Sequence, residues 1–214
     1  MLKSLKAAAL VVAAASALFL TSCLNVVQSV SLNSDGKFDF SYQFTMNKMM
    51  LAMMNDNGDP EAAIDGMVAS LQQESGKENL TVEKVSDEQN AGFIMKTVID
   101  QKNCEESEKA LLPVSKKKNV YINLIGVSEM DESQKVDPAS EESQAGLAML
   151  DDAFWTVRVG KNILSSCSKA VLADAKGKGK EITVKDEGDF WSVDVLFADL
   201  IIKGNNYTQI VFTK

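Results

Sequence analysis

The 214-residue sequence contains no histidine. Histidine is the usual base beside a serine or cysteine nucleophile, and it supplies zinc ligands in the HExxH helix. Its absence excludes Ser-His-Asp and Cys-His catalysis and most transition-metal sites. Catalysis by carboxylate, lysine or tyrosine side chains remains formally open. We expect no metal site and no cofactor.

Cysteine, proline and basic charge are also scarce. The chain has 3 cysteines and 3 prolines, and its 22 lysines and arginines face 30 aspartates and glutamates, which gives a net charge of −8. Binding to nucleic acid requires a basic surface that neutralises the phosphates. We therefore expect no nucleic-acid partner.

The first 22 residues have the features of an export signal. Lys3 and Lys6 give a positive start, and the run Ala7–Leu20 that follows is apolar except for Ser16. A helix that crosses a bilayer needs about 20 apolar residues, so this run is too short to be a membrane span. The pattern predicts a signal peptide over residues 1–22.

The end of this segment carries a more specific motif. Leu20-Thr21-Ser22-Cys23 resembles the lipobox of bacterial lipoproteins. The resemblance implies that the signal is removed, that Cys23 carries a diacylglycerol on its sulfur, and that its new amine is acylated. Several acyl chains anchor a protein stably. We expect a lipid-anchored protein of the cell envelope. Because Leu24 replaces the aspartate that often retains such proteins, the outer membrane is favoured in a host with two membranes. The alternative is an ordinary signal peptide before a chance cysteine.

The chain behind the anchor is predicted to be α+β, a mainly antiparallel sheet with one or two helices packed on one face. A strand over residues 26–33 leads into Ser34-Asp35-Gly36, a hairpin turn signal. The return strand alternates apolar and polar residues, which predicts one buried face. The residues of that face are Phe38, Phe40, Tyr42, Phe44 and Met46.

Two helices and a second hairpin are predicted next. Asn47 can cap a helix over residues 48–54, and Asp59 can cap another that begins at Pro60. Strands over 80–85 and 92–99 then form the hairpin. Methionines of this region either fill the core or line a soft apolar groove: Met46, Met49, Met50, Met53, Met54 and Met67.

An acidic, polar segment divides the chain. Residues 128–144 have hardly any apolar side chain and are predicted to form a mobile loop. We take this loop as the boundary between an N-terminal ββαββ-type half, residues 23–127, and a C-terminal β-rich half, residues 145–214.

Four features together resemble the LppM-type bacterial lipoprotein domain. They are the lipobox, the hairpin Val30–Gly36 with its aromatic return strand, the segment Trp155–Gly160, and Gly188-Asp189-Phe190-Trp191. The family pattern favours a proline before the glycine at the end of the Trp155 strand, where this chain has Val159-Gly160. That family is not known as enzymatic, so the resemblance implies an envelope-associated binding or structural role and assigns no functional residues.

The expected function is therefore non-enzymatic. The protein would bind a protein or lipid partner or an apolar ligand in the envelope, or have a structural role. The alternative is a carboxylate-dependent envelope hydrolase that uses Asp151-Asp152 or Asp186-Glu187-Asp189. A pocket with two facing carboxylates would favour the enzyme, and an apolar groove would favour binding.

The two remaining cysteines are candidates for a disulfide. If lipid modifies Cys23, Cys104 and Cys167 are the only thiols left, and export places them outside the reducing cytosol. We predict a bridge between them, which would tie the two halves together across residues 128–144. The alternative is that both are unpaired and act as small core residues.

Overall fold

A computed structural model of the protein describes residues 24–55, 58–75, 80–127, 130, 133, 135–148, 150 and 152–214. The fold is α+β with two mostly antiparallel sheets, so the predicted class is confirmed. The predicted signal peptide and Cys23 lie outside the described residues. No helix within these ranges is long and apolar enough to cross a membrane.

The described residues form twelve strands and five helices. In chain order the strands are β1 Leu24–Leu32, β2 Phe38–Asn47, β3 Leu80–Ser86, β4 Asn90–Ile99, β5 Val114–Lys116, β6 Asn119–Asn123, β7 Phe154–Gly160, β8 Lys169–Asp174, β9 Gly179–Ile182, β10 Lys185–Glu187, β11 Phe190–Leu196 and β12 Tyr207–Thr213. The helices are α1 Lys48–Met54, α2 Pro60–Ser75, α3 Glu106–Lys109, α4 Glu141–Ala148 and α5 Phe197–Ile201. A seven-stranded sheet has the order β10-β11-β7-β1-β2-β4-β3, and a five-stranded sheet has the order β5-β6-β12-β8-β9.

The first hairpin forms as predicted. Strands β1 and β2 pair antiparallel from Leu24 opposite Met46 to Leu32 opposite Phe38. At the turn, Oδ1 of Asn33 accepts hydrogen bonds from the backbone N–H groups of Asp35 and Lys37, both at 3.0 Å. Gly36 has a φ of 71°, a conformation that glycine adopts without steric cost.

The predicted aromatic face of β2 is buried, and aromatic pairs continue from it. The Tyr42 ring meets the Trp155 ring edge to face at 6.0 Å between centroids, and Trp155 stacks on Phe197 at 6.3 Å. Phe44 stacks on Phe93 of β4 at 5.5 Å. This face of the seven-stranded sheet, which we call the inner face, forms the centre of one hydrophobic core.

The two predicted helix caps are confirmed. Oδ1 of Asn47 accepts from the N–H of Met49 at 2.8 Å, and Oδ1 of Asp59 accepts from that of Glu61 at 2.9 Å. Helix α2 buries Ile64 and packs against β3 and β4. Among the methionines named above, Met46 and Met50 are buried in the core, and Met67 is half-buried against it. Met49 and Met53 are exposed.

Both sheets combine strands from either side of residues 128–144. Strand β1 pairs parallel with β7, and β6 pairs antiparallel with β12. The side chain of Gln28 links the sheets, because its Nε2 donates to the carbonyl of Asn123 at 2.8 Å. Each sheet therefore contains strands from both predicted halves, which pair with one another.

Three local expectations differ from the structure. Helix α4 begins inside the predicted loop 128–144, and Val136 in that segment bridges to Ile202. The apolar sequence of residues 120–127 predicts one strand over that range, but β6 ends at Asn123 because the chain turns after it. Strand β8 was not predicted at all.

Candidate functional site

A cleft of about 600 Å³ opens where the Leu32 end of the seven-stranded sheet meets the segment that leads into the five-stranded sheet. Its volume is in the range of small-molecule sites, about 300–1,000 Å³. Six of its lining residues are apolar and four are polar without being acidic. We call it the hairpin cleft, and it is lined by Leu32, Phe38, Gln101, Lys109, Leu112, Pro113, Val114, Ser115, Asn162 and Ile163.

One wall of the hairpin cleft is fixed by the side chain of Asn162, which hydrogen-bonds to the backbone of Leu32 as a neighbouring strand would. Asn162 accepts a hydrogen bond from the N–H of Leu32 at 3.1 Å and donates Nδ2 to the carbonyl of the same residue at 2.5 Å. These two bonds hold the loop after β7 against the end of β1, and they place Ile163 at the cleft.

Gly160 makes this close approach possible. A Cβ atom at that position would lie 2.6 Å from Oδ1 of Asn162 and 2.8 Å from Cβ of Ser31. The glycine is therefore required where β7 ends, because any other residue would displace the asparagine or the neighbouring strand.

The opposite wall comes from α3 and β5. Leu112 is buried, Pro113 follows it, and Val114 begins a strand at the edge of the five-stranded sheet. Among the described residues that line the cleft, the only charged one is Lys109, whose Nζ lies 2.8 Å from a carboxylate oxygen of Glu106. That hydrogen bond raises the pKa of Lys109, so the lysine is charged at neutral pH and paired with Glu106.

A second depression of about 450 Å³ lies on the opposite, outer face of the seven-stranded sheet. Serines line its floor, with Ile94, Val98 and Phe190 around them. Among the described residues of its lining, Asp39 is the one acidic residue, and its Oδ1 accepts from the Asn33 side chain at 2.9 Å. No second carboxylate of the described lining meets it there.

The chain fits no protein-family model, and no curated protein or solved structure is significantly similar to it. The resemblance to the LppM-type domain therefore stays a prediction.

Two of the candidate catalytic carboxylates of the C-terminal half, Asp186 and Glu187, lie in ion pairs, and Asp189 is exposed. Asp186 is 2.5 Å from Nζ of Lys161, and Glu187 is 2.7 Å from Nε of Arg158. The hydrogen bond from Lys161 lowers the pKa of Asp186. Asp152 is exposed, and Asp151 lies outside the described residues.

Two further carboxylates with lowered pKa values have the same kind of partner. Burial raises the pKa of Asp194, but hydrogen bonds from Lys185 and Thr156 outweigh it and the net shift is downward. Hydrogen bonds from Lys48, Lys84 and Ser86 lower the pKa of Glu61 to about 2. The lowered pKa values keep Asp186, Asp194 and Glu61 ionised at neutral pH, as in structural ion pairs.

The predicted disulfide is not present in the structure, where Cys104 and Cys167 are both free thiols. Sγ of Cys104 lies 3.6 Å from the carbonyl of Gln101, and Sγ of Cys167 lies 3.4 Å from that of Lys169. Each thiol thus contacts the backbone of its own loop. Burial raises the pKa of Cys167, which keeps that thiol protonated and unreactive.

The residues of the hairpin cleft were not singled out from the sequence. The one local signal is Leu111-Leu112-Pro113-Val114, an apolar run between a short charged helix and Lys116-Lys117-Lys118. The other walls come from Leu32 and Ile163, which are distant in the chain. Among the described residues, no group of three His, Cys, Asp or Glu is placed to hold a metal ion.

Proposed function

We propose that the protein is a non-enzymatic lipoprotein of the cell envelope, anchored through Cys23, that binds an apolar ligand or an apolar segment of a partner in the hairpin cleft. The observation that carries the binding proposal is the lining of this cleft, whose described residues are mostly apolar and include no carboxylate. The lipobox supports the anchor, and Leu24 after it supports the outer membrane in a host with two membranes.

The position of the cleft suits an anchored binding protein. Strand β1 runs from Leu24, next to the proposed lipid-bearing cysteine, to Leu32 at the cleft. At about 3.3 Å per residue, its nine residues separate the two sites by about 30 Å. The cleft would then lie in the aqueous phase above the headgroups, where it can meet a partner.

The states of the carboxylates support binding over hydrolysis. A general acid at neutral pH needs a raised pKa. Asp186, Asp194 and Glu61 have lowered pKa values and are paired with lysine. None of them lines the hairpin cleft.

The anchor is tested by Cys23→Ser. We expect the wild-type chain to incorporate labelled palmitate and to remain with the membrane pellet without detergent. The variant should incorporate none, because serine lacks the thiol that accepts the diacylglycerol. Palmitate labelling of the variant, or membrane retention after normal cleavage of its signal, would refute the anchor.

The cleft is tested with the fluorescent probe 1-anilinonaphthalene-8-sulfonate, which has an apolar ring system that the apolar lining can contact and an anionic sulfonate. Val114→Glu puts a carboxylate at the cleft and should abolish probe fluorescence. Val98→Glu is the matched control, because Val98 and Val114 are similarly exposed, 46% and 42%, and neither change buries a charge. If Val98→Glu alone removes the signal, the probe binds the outer-face depression and the cleft proposal fails.

A further inference from the structure

Exposed apolar side chains concentrate at the Leu24 end of the seven-stranded sheet. Met49 and Met53 are 72% and 70% exposed, and Leu196, where β11 ends, is 37% exposed. The two methionines are four residues apart and so lie on one side of α1, while Met50 and Leu51 on its other side are buried in the core. Exposing two large apolar side chains on one short helix requires an explanation beyond core filling.

The same end of the sheet carries the proposed anchor. Strand β1 begins at Leu24, directly after Cys23, and Leu24 pairs with Met46 at the end of β2. Paired Cα atoms are about 5 Å apart, so the Cα atom of Leu24, the residue bonded to Cys23 in the sequence, lies about 5 Å from that of Met46. Helix α1 starts two residues later, at Lys48. No linker separates the lipid from this helix.

We infer that the exposed side of α1, formed by Met49 and Met53, is a second membrane contact that rests in the headgroup–acyl boundary beside the lipid anchor. This inference depends on the proposed anchor. Two methionines alone bury too little apolar surface to hold a protein on a membrane, but the anchor already keeps them there.

The contact is apolar rather than electrostatic. Lys48, the only basic residue of α1, is paired with Glu61 at 2.8 Å. Leu196 lies three strands from β2, about 14 Å across the sheet, and widens the contact. A membrane contact of this width would hold β1 roughly perpendicular to the bilayer plane and direct the hairpin cleft away from the bilayer.

The test uses methionine oxidation in the lipidated full-length protein, reconstituted in phosphatidylcholine vesicles. Val98→Met adds an internal reference, because Val98 lies near the other end of β4 and is 46% exposed. Hydrogen peroxide is added, and the oxidation rate of each methionine is measured by peptide mass spectrometry. Without membrane contact, Met49 and Met53 should react at least as fast as the reference, since they are more exposed.

With the contact in place, we expect Met49 and Met53 to react at least about threefold more slowly than the introduced methionine. Sodium chloride should not remove the protection. Equal or faster oxidation in a chain that carries its lipid would overturn this inference and leave the anchor intact. If mass spectrometry finds no lipid on Cys23, the proposed anchor itself fails, so the two failures are distinguishable.

Discussion

The two faces of the seven-stranded sheet are formed by the same strands, but they differ in the polarity and the burial of their side chains. Along β2, Phe40, Tyr42 and Phe44 point to the inner face and are buried, while Ser41 and Gln43 point to the outer face and are half-buried. The inner face is covered by the rest of the core. The outer face carries serines and threonines and, within the described residues, has no layer packed on it.

This difference separates stability from surface properties. Buried aromatic side chains contribute large apolar areas and specific ring contacts, as at Tyr42 and Trp155. Small polar side chains on a half-buried face contribute little, because water can replace most of their contacts. Substitutions on alternate residues of one strand should therefore have very different effects on folding.

The largest expected effect comes from Phe40→Ala on the inner face. Phe40 is 3% exposed, so its truncation should lower the free energy of unfolding by about 3–5 kcal/mol. Ser41→Ala, the adjacent residue on the outer face, should change it by less than about 0.5 kcal/mol. Equilibrium unfolding in urea measures both. A loss below about 1 kcal/mol for Phe40→Ala would mean that the inner face is not enclosed in solution.

The elements predicted correctly are those whose signals are local. The alternation from Phe38 to Met46 predicts a strand with one buried face. Asn47 and Asp59 are capping residues, and each predicts the start of a helix. These signals depend only on residues within a few positions of one another.

The elements that were missed depend on distant partners. Strand β8 has four consecutive apolar residues, Ala170, Val171, Leu172 and Ala173, and therefore no alternation to identify it. It forms because β12 pairs with it. The parallel pairing of β1 with β7 joins residues about 130 positions apart, as Asn25 does with Phe154, and no local pattern encodes such a contact.

The hairpin cleft was missed for the same reason. Its walls meet only after Asn162 binds the backbone of Leu32, 130 residues away. A sequence pattern can indicate that Leu32 or Ile163 is apolar, but it cannot show that the two line one cavity. The anchor motif at Cys23, by contrast, is a contiguous signal that needs no fold.

A smaller effect is expected where the inner face contains polar atoms. The hydroxyl group of Tyr42 is fully buried and has no hydrogen-bond partner among the described residues, and burial raises its pKa. Tyr42→Phe removes this group and keeps the ring, so we expect the free energy of unfolding to rise by about 1 kcal/mol.

Tyr121→Phe is the matched control for that substitution. The Tyr121 hydroxyl accepts a hydrogen bond from Nδ2 of Asn119 at 3.4 Å, so its removal should produce no gain in stability. Urea unfolding of both variants at pH 7 gives the comparison. A loss of more than about 1 kcal/mol for Tyr42→Phe would show that the hydroxyl is hydrogen-bonded in solution.

The smallest effect concerns the ion pairs that hold α2 beside the inner face. Glu61 of α2 binds Lys48 of α1 and Lys84 of β3, each at 2.8 Å, and Ser86 donates to it at 3.0 Å. Together these hydrogen bonds lower its pKa from 4.5 to about 2. A carboxylate whose pKa is lower in the folded state stabilises the fold above the unfolded pKa, and this contribution disappears as the pH falls through the folded value.

Between pH 4.5 and pH 2, wild-type stability should therefore fall more steeply than that of Glu61→Gln, which has no proton to take up at this site. Ser86→Ala removes one of the three donors and should give an intermediate slope. Urea midpoints measured across this pH range provide the test. If the three proteins have parallel profiles, the Glu61 cluster is not formed in solution, and α2 is held against β3 by apolar contacts such as those of Ile64 and Leu71 alone.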